Sequence, residues 1–184
     1  ITTTSTSYTP GSAISEGSHV LYVQERDAAG NWSSSGSMTI VIDTTAPTAP
    51  SVSGTTPTNV TTPTWSWSPG GGGNGTYRYK LDNSDLTSGA TTTTSTSYTP
   101  GSGISEGSHI LYVQERDAAN WSSSGSSTIV IDTTAPTITS FTSTTSNGSY
   151  KSAGEVNITA TASEAVVATN TITTTLDTGR AVTL

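Results

Sequence analysis

Residues 2–48, TTTSTSYTPGSAISEGSHVLYVQERDAAGNWSSSGSMTIVIDTTAPT, return as residues 92–137, TTTSTSYTPGSGISEGSHILYVQERDAANWSSSGSSTIVIDTTAPT. A period of about ninety residues is too long for a solenoid repeat and suits a small β-sandwich. IDTTAP closes both copies, and its proline punctuates a linker. The chain therefore divides into the back half of one repeat (1–43), a complete repeat (44–132) and the front half of a further domain (133–184). Ordered half-domains need partners, because half a sandwich exposes a sheet face and unpaired strand edges.

The complete repeat carries strand signals at the short spacing of an all-β sandwich. SVSG is a first strand, and PTWSW puts Trp65 and Trp67 on one face. SPGGGGNGT reads as a flexible turn. In YRYKLD, Tyr77, Tyr79 and Leu81 face one way and Arg78 and Lys80 the other. TTTTSTSYT supplies one or two threonine-rich strands, SHILYVQERD is the clearest strand, and STIVID closes the unit. The fold class is all-β: sandwiches of about seven antiparallel strands in two sheets, repeated in tandem.

Composition separates this from a disordered Ser/Thr stalk. Hydrophobic residues make up only 30%, but charged residues are scarce too, at 10%, and the chain holds 4 Trp and 7 Tyr. Disordered chains are usually charge-rich and aromatic-poor, whereas Thr, Tyr, Trp and Val suit a pleated, half-buried surface. With 6 Lys+Arg in a net charge of −7, no basic stripe is available to neutralise phosphates, which argues against nucleic acid. There are no cysteines, so stiffness comes from neither disulfides nor thiolate zinc. No apolar run reaches the eighteen or so residues of a membrane span. The chain opens at Ile1 without Met or a signal peptide, as an excerpt or a processed product would.

Enzyme chemistry finds little support. His19 and His109 occupy one position in successive copies, and neither sits in an HExxH-like arrangement. Both are expected solvated at a strand start. No GxSxG elbow is present, and GGGGNG lacks the Lys-Ser/Thr of a phosphate loop.

The acidic residues are more informative. In LYVQERD, the residues Leu21, Val23, Glu25 and Asp27 share a face, and the loop DAAGN brings Asn31 back near Asp27. The last strand delivers Asp43 at the opposite pole, where Asp117 and Asn120 of the next unit arrive; Asp132 ends the second copy. Two readings stand. Asp27, Asn31, Asp43, Asp117, Asn120 and Asp132 are candidate Ca²⁺ ligands, since calcium takes about 6–8 oxygens. Alternatively, Asp27 caps its loop through an Asx-turn and Asp43 is solvated.

LYVQERDAAGNWS followed by IDTTAPTAP resembles the bacterial Ig-like, fibronectin type III-like domains strung in tandem through giant surface adhesins. The likeness covers residues 2–137, and NGSYKSAGEVNITATASEAV (147–166) resembles the opening of another Ig-like class in the same proteins. It implies an extracellular stalk or fibre, stiffened by interdomain Ca²⁺ at Asp27 and Asn31, Asp117 and Asn120, and linker residues Asp43 and Asp132. The neighbours would be other Ig-like domains of the same chain, or copies of the chain head to tail. A head-to-tail filament subunit and a carbohydrate-binding module using Tyr22 and Trp32 are the alternatives. Recurrence of Tyr112 and Trp121 in the same frame argues that these aromatics serve the fold instead.

The second copy departs from the pattern by one residue, DAAN for DAAGN. The glycine is expected at a positive-φ turn position that other residues adopt only at a cost. Its loss should strain or re-route the Asp117–Asn120 loop. Sequons at Asn31, Asn59, Asn74, Asn120, Asn147 and Asn157 arise easily by chance in so Thr/Ser-rich a chain.

Overall fold

The structure, a computed structural model, describes residues 1–149, 156–165, 173–175 and 181–183. It divides into two units, Ile1–Thr133 and Thr134–Leu184. Among the described residues there is no helix and every named strand pair is antiparallel, so the fold is all-β.

In the first unit, β1 (Gly17–Val23) pairs only with β2 (Gly36–Ile42). The complete repeat then supplies seven strands: β3 (Ser51–Gly54), β4 (Trp65–Ser68), β5 (Thr76–Leu81), β6 (Thr91–Thr93), β7 (Ser97–Tyr98), β8 (Gly107–Arg116) and β9 (Gly125–Ile131). They form one sheet in the order β3-β4-β7 and another in the order β6-β5-β8-β9.

One apolar core joins the two sheets. Trp65 and Trp67 come from β4, and Tyr77, Leu111, Val113, Ile129 and Ile131 come from the four-stranded sheet. Alternation makes this possible: in β4 the tryptophans are buried and the serines between them exposed. Trp65 and Tyr98 stack at 6.2 Å, and Tyr79 lies 4.8 Å from Tyr98. Burial of each large apolar side chain is worth roughly 1.5–3 kcal/mol, and three of the seven residues in this core cluster are the large aromatics Trp65, Trp67 and Tyr77.

In the second unit, β10 (Ile138–Thr142) pairs with β11 (Thr159–Ala162), with a register shift between Ile138 and Ser140. Two further strands, β12 (Thr173–Thr175) and β13 (Ala181–Thr183), pair with each other. Ile138, Phe141 and Ile158 are exposed. Of the stretch 147–166, for which the sequence suggests the opening of another repeat class, residues 150–155 and 166 lie outside the described residues.

The two copies of the repeat's back half share sequence but not surroundings. Leu111 and Val113 are each 0% exposed, whereas their counterparts Leu21 and Val23 are 39% and 60% exposed. Ile129 is buried and Ile40 is not. The difference is the front half: β5 pairs with β8 from Thr76↔Arg116 to Leu81↔Leu111, and no described strand does this for β1.

Candidate functional site

The junction between Asp43 and the complete repeat is a densely hydrogen-bonded polar region. It is built around the end of β8. Continuing the inward face past Leu111 and Val113 buries Glu115 and Asp117 at 2% and 8% exposure. Buried carboxyl groups require partners. Glu115 finds one in the glycine-rich loop: Gly70 N donates to its Oε2 at 3.1 Å. Ser122 Oγ accepts from Glu115 N at 3.0 Å, and Ser122 N donates to Glu115 O at 2.8 Å.

The glycines are needed for close approach. A Cβ on Gly73 would collide with the Glu115 side chain, and one on Gly70 with the main chain of Thr48 and Ala49. Gly71 and Gly72 take φ of +106° and +83°, a region glycine enters without penalty. The loop thus lies clasped between linker and strand rather than loose, which corrects the expectation of a flexible turn. Thr48 N donates to Gly71 O at 3.0 Å, and linker residues Pro47 and Pro50 are buried. At its far end Asn74 N donates to Arg116 O at 2.7 Å, and Asn74 Nδ2 to Asp117 O at 2.9 Å.

Asp43 and Asn120 meet at this pole. Asn120 Nδ2 donates to the main-chain oxygen of Asp43 at 3.1 Å. The Asp43 carboxyl turns into its own linker, where Oδ1 accepts from Thr45 N at 3.1 Å. Asp117 Oδ1 accepts from the main-chain N–H groups of Asn120 and Ala119. These hold its carboxyl below the usual aspartate range. Asp27 and Asn31 are joined to each other in the first copy. Asn31 Nδ2 donates to Asp27 Oδ2 at 2.9 Å and Asn31 N to Oδ1 at 2.7 Å, again lowering the carboxyl pKa. Both aspartates cap their loops. Asp132 is exposed at the opposite pole, with its N donating to Thr58 O at 2.9 Å. Among the described residues no three His, Cys, Asp or Glu side chains converge as a metal group.

The shortened loop does without a left-handed position. Gly30 has φ +97°, as the longer loop requires, but no residue from Asp117 to Asn120 has positive φ. The loop simply closes one residue earlier: Asp117 N donates to Asn120 O, as Asp27 N donates to Asn31 O. The bridges Arg26↔Trp32 and Arg116↔Trp121 then put the tryptophan back in register. The missing glycine is absorbed by re-routing.

Three features escaped the sequence reading. His109 is not solvated: its side chain is 12% exposed, with Nδ1 2.7 Å from Asp82 Oδ2 and Nε2 2.9 Å from Ser105 O. The Asp82 hydrogen bond raises its pKa above the ordinary value. Arg78 lies over Trp121, Cζ 4.3 Å from the ring centroid, with Arg116 at 5.8 Å; the structural use of this tryptophan is the one its recurrence suggests, but its stacking under arginine is not legible from the sequence. Glu16 accepts from Thr44 Oγ1 and Thr45 Oγ1 at 2.6 and 2.9 Å, and Glu106 accepts from Thr133 Oγ1 at 3.0 Å. The one available signal was the recurrence of Glu16 and of the linker threonines at matching positions in both copies.

No protein-family model matches the chain, and no curated protein is significantly similar to it. Among the described residues no helix is long and apolar enough to cross a membrane.

Proposed function

We propose that this chain is a segment of a non-enzymatic extracellular stalk or spacer built from tandem Ig-like repeats, as in an adhesin or surface fibre. The observation that carries the reading is the junction: Asp43 and the linker are fastened to the pole of the following repeat by Asn120, Pro47, Pro50 and the glycine loop. A spacer needs its units held end to end, and a linker of buried prolines serves that need. The strand order favours the Ig-like class. The first, second and fifth strands of the repeat share one sheet, and the fourth, third, sixth and seventh share the other. The repeated residues at the junction have structural partners rather than a catalytic arrangement.

Antibodies against residues 44–132, used in electron microscopy of the source cells, should decorate surface fibres. Labelling confined to the cell interior would overturn the reading.

Calcium belongs to this proposal at the same pole, held by Asp43, Asp117 and Asn120 with main-chain carbonyl oxygens. Their donor set is the oxygen chemistry of a hard cation, although in this arrangement the Asp43 carboxyl accepts from Thr45 N, Asp117 from the main-chain N–H groups of Ala119 and Asn120, and Asn120 Nδ2 donates to the Asp43 carbonyl. Calcium at a hundredfold excess over Kd should stabilise the fold by about 2.7 kcal/mol. A melting temperature and scattering profile identical in EDTA and in calcium would remove the cation and leave a metal-free spacer.

A second reading, a head-to-tail filament subunit, is favoured by exposed apolar residues in both flanking halves, Leu21 and Val23 in one and Ile138 and Phe141 in the other. Contacts of that kind do not close and so generate filaments. Concentration-dependent filaments of the purified chain would support it.

A further inference from the structure

The back half of the repeat occurs twice in one molecule, once covered and once uncovered. That comparison identifies what the uncovered surface fits. In the complete repeat, the edge of β8 opposite β9 is paired with β5, Tyr77 against Glu115 and Tyr79 against Val113. Trp65 and Trp67 close the apolar face over Leu111, Val113 and Ile129. The β1–β2 sheet has the same register as β8–β9: Leu21↔Met38 corresponds to Leu111↔Ser127, and Val23↔Gly36 to Val113↔Gly125. Its face and its outer edge therefore have the shape and polarity that a Trp-x-Trp strand and a Tyr-x-Tyr-x-Leu-Asp strand already cover elsewhere in this chain.

We propose that the face of Leu21, Val23 and Ile40, with the open edge from Leu21 to Arg26, docks the front half of a further repeat of the 44–90 class, in the register that β5 takes on β8. Two polar groups add specificity to the apolar fit. His19 stands where His109 meets Asp82, so the incoming strand brings it an aspartate. Trp32, with Arg26 at 5.7 Å, stands where Trp121 takes Arg78 on its face, so the strand also brings an arginine. The front half at 134–184 is the poorer occupant: Ala160 and Ala162 are the half-buried positions of β11, whereas β4 offers Trp65 and Trp67. The inference does not depend on the stalk reading, since it concerns a fit and not a location.

The test adds residues 44–90 ahead of Ile1 of the full chain, restoring the repeat period, and follows hydrogen exchange by NMR. Amides from Leu21 to Arg26 should exchange ~100-fold more slowly than in the unextended chain, approaching those from Leu111 to Arg116. A downfield imidazole N–H resonance of His19 should appear beside that of His109. Asp82→Asn within the added segment should remove the new resonance and keep the amide protection, which fixes the register. Val23→Asp should abolish the protection while the 44–132 repeat stays folded. An extension that leaves these amides unprotected overturns the proposal. So does an unextended chain that protects them by self-association while the 44–132 repeat of each copy stays intact, because another surface of the second copy is then the occupant.

Discussion

Asp82 illustrates how much a single side chain here depends on its backbone. It is the only non-glycine residue among those described with positive φ, at 56°, a conformation aspartate tolerates better than most. From it, Oδ1 accepts from Ile110 N and Oδ2 from His109 Nδ1, each at 2.7 Å. The raised pKa of His109 means the folded state binds its proton more tightly than the unfolded state does. The resulting stabilisation is fully present below the unfolded histidine value, about 6.5, and is lost as pH rises through the folded value. Urea unfolding of the chain should therefore show the repeat weakening from pH 6 to 8, and Asp82→Asn should flatten that slope. A slope unchanged in the variant would assign it to another group. This pairing was hidden in the sequence because its partners are 27 residues apart and neither belongs to a local motif. Asp27 and Asp117 were more legible, since their partners lie within the same loop. Asp43 was legible as a position, by counting strand ends, but not in the detail that its carbonyl meets Asn120.

At the scale of elements, VQER occurs twice and takes two structures. β8 runs through Arg116, whereas β1 stops at Val23. The three extra residues are strand in the second copy because Thr76, Tyr77 and Arg78 pair with them. Propensity is identical, so tertiary pairing decides. Leu111→Ala should cost about 2–5 kcal/mol, because it opens a cavity in a closed core. Leu21→Ala, at a residue 39% exposed, should cost less than about 1 kcal/mol. Comparable losses in urea denaturation would mean that the two copies have equivalent environments in solution. The longer strands of the complete repeat were readable because alternation of Trp, Tyr, Leu and Ile with Ser, Thr and Arg survives in them, whereas Thr91–Thr93 and Ser97–Tyr98 are too short to show a period and read only as one or two threonine-rich strands. The glycine loop was misread for a physical reason. Four consecutive glycines describe freedom when nothing surrounds them and close packing when something does, and only the fold brings Glu115 and Thr48 to either side.

For the molecule as a whole, the course of the chain along β9 has a mechanical consequence. Pro50 lies against Gly125 at the start of β9, and Thr58 bridges Ile131 at its end in a parallel sense. Thr58 N donates to Val130 O, and Asp132 N to Thr58 O. The segment entering the repeat and the strand leaving it therefore run side by side in the same direction, while their outer ends, the linker and Asp132, point to opposite poles. Tension applied between the linker and Asp132 pulls the two past each other lengthwise, so the bonds between them share the load instead of parting one at a time. Pulling β9 sideways, from an attachment at its middle, would load them in turn. Forced unfolding follows the unfolding rate rather than equilibrium stability. Single-molecule pulling on residues 44 and 132 should need a clearly higher force than pulling across β9 at Thr128, although the folded state and its free energy are the same. Equal forces in the two directions would mean that some other contact yields first. Its resistance is greatest along the line that joins its two ends.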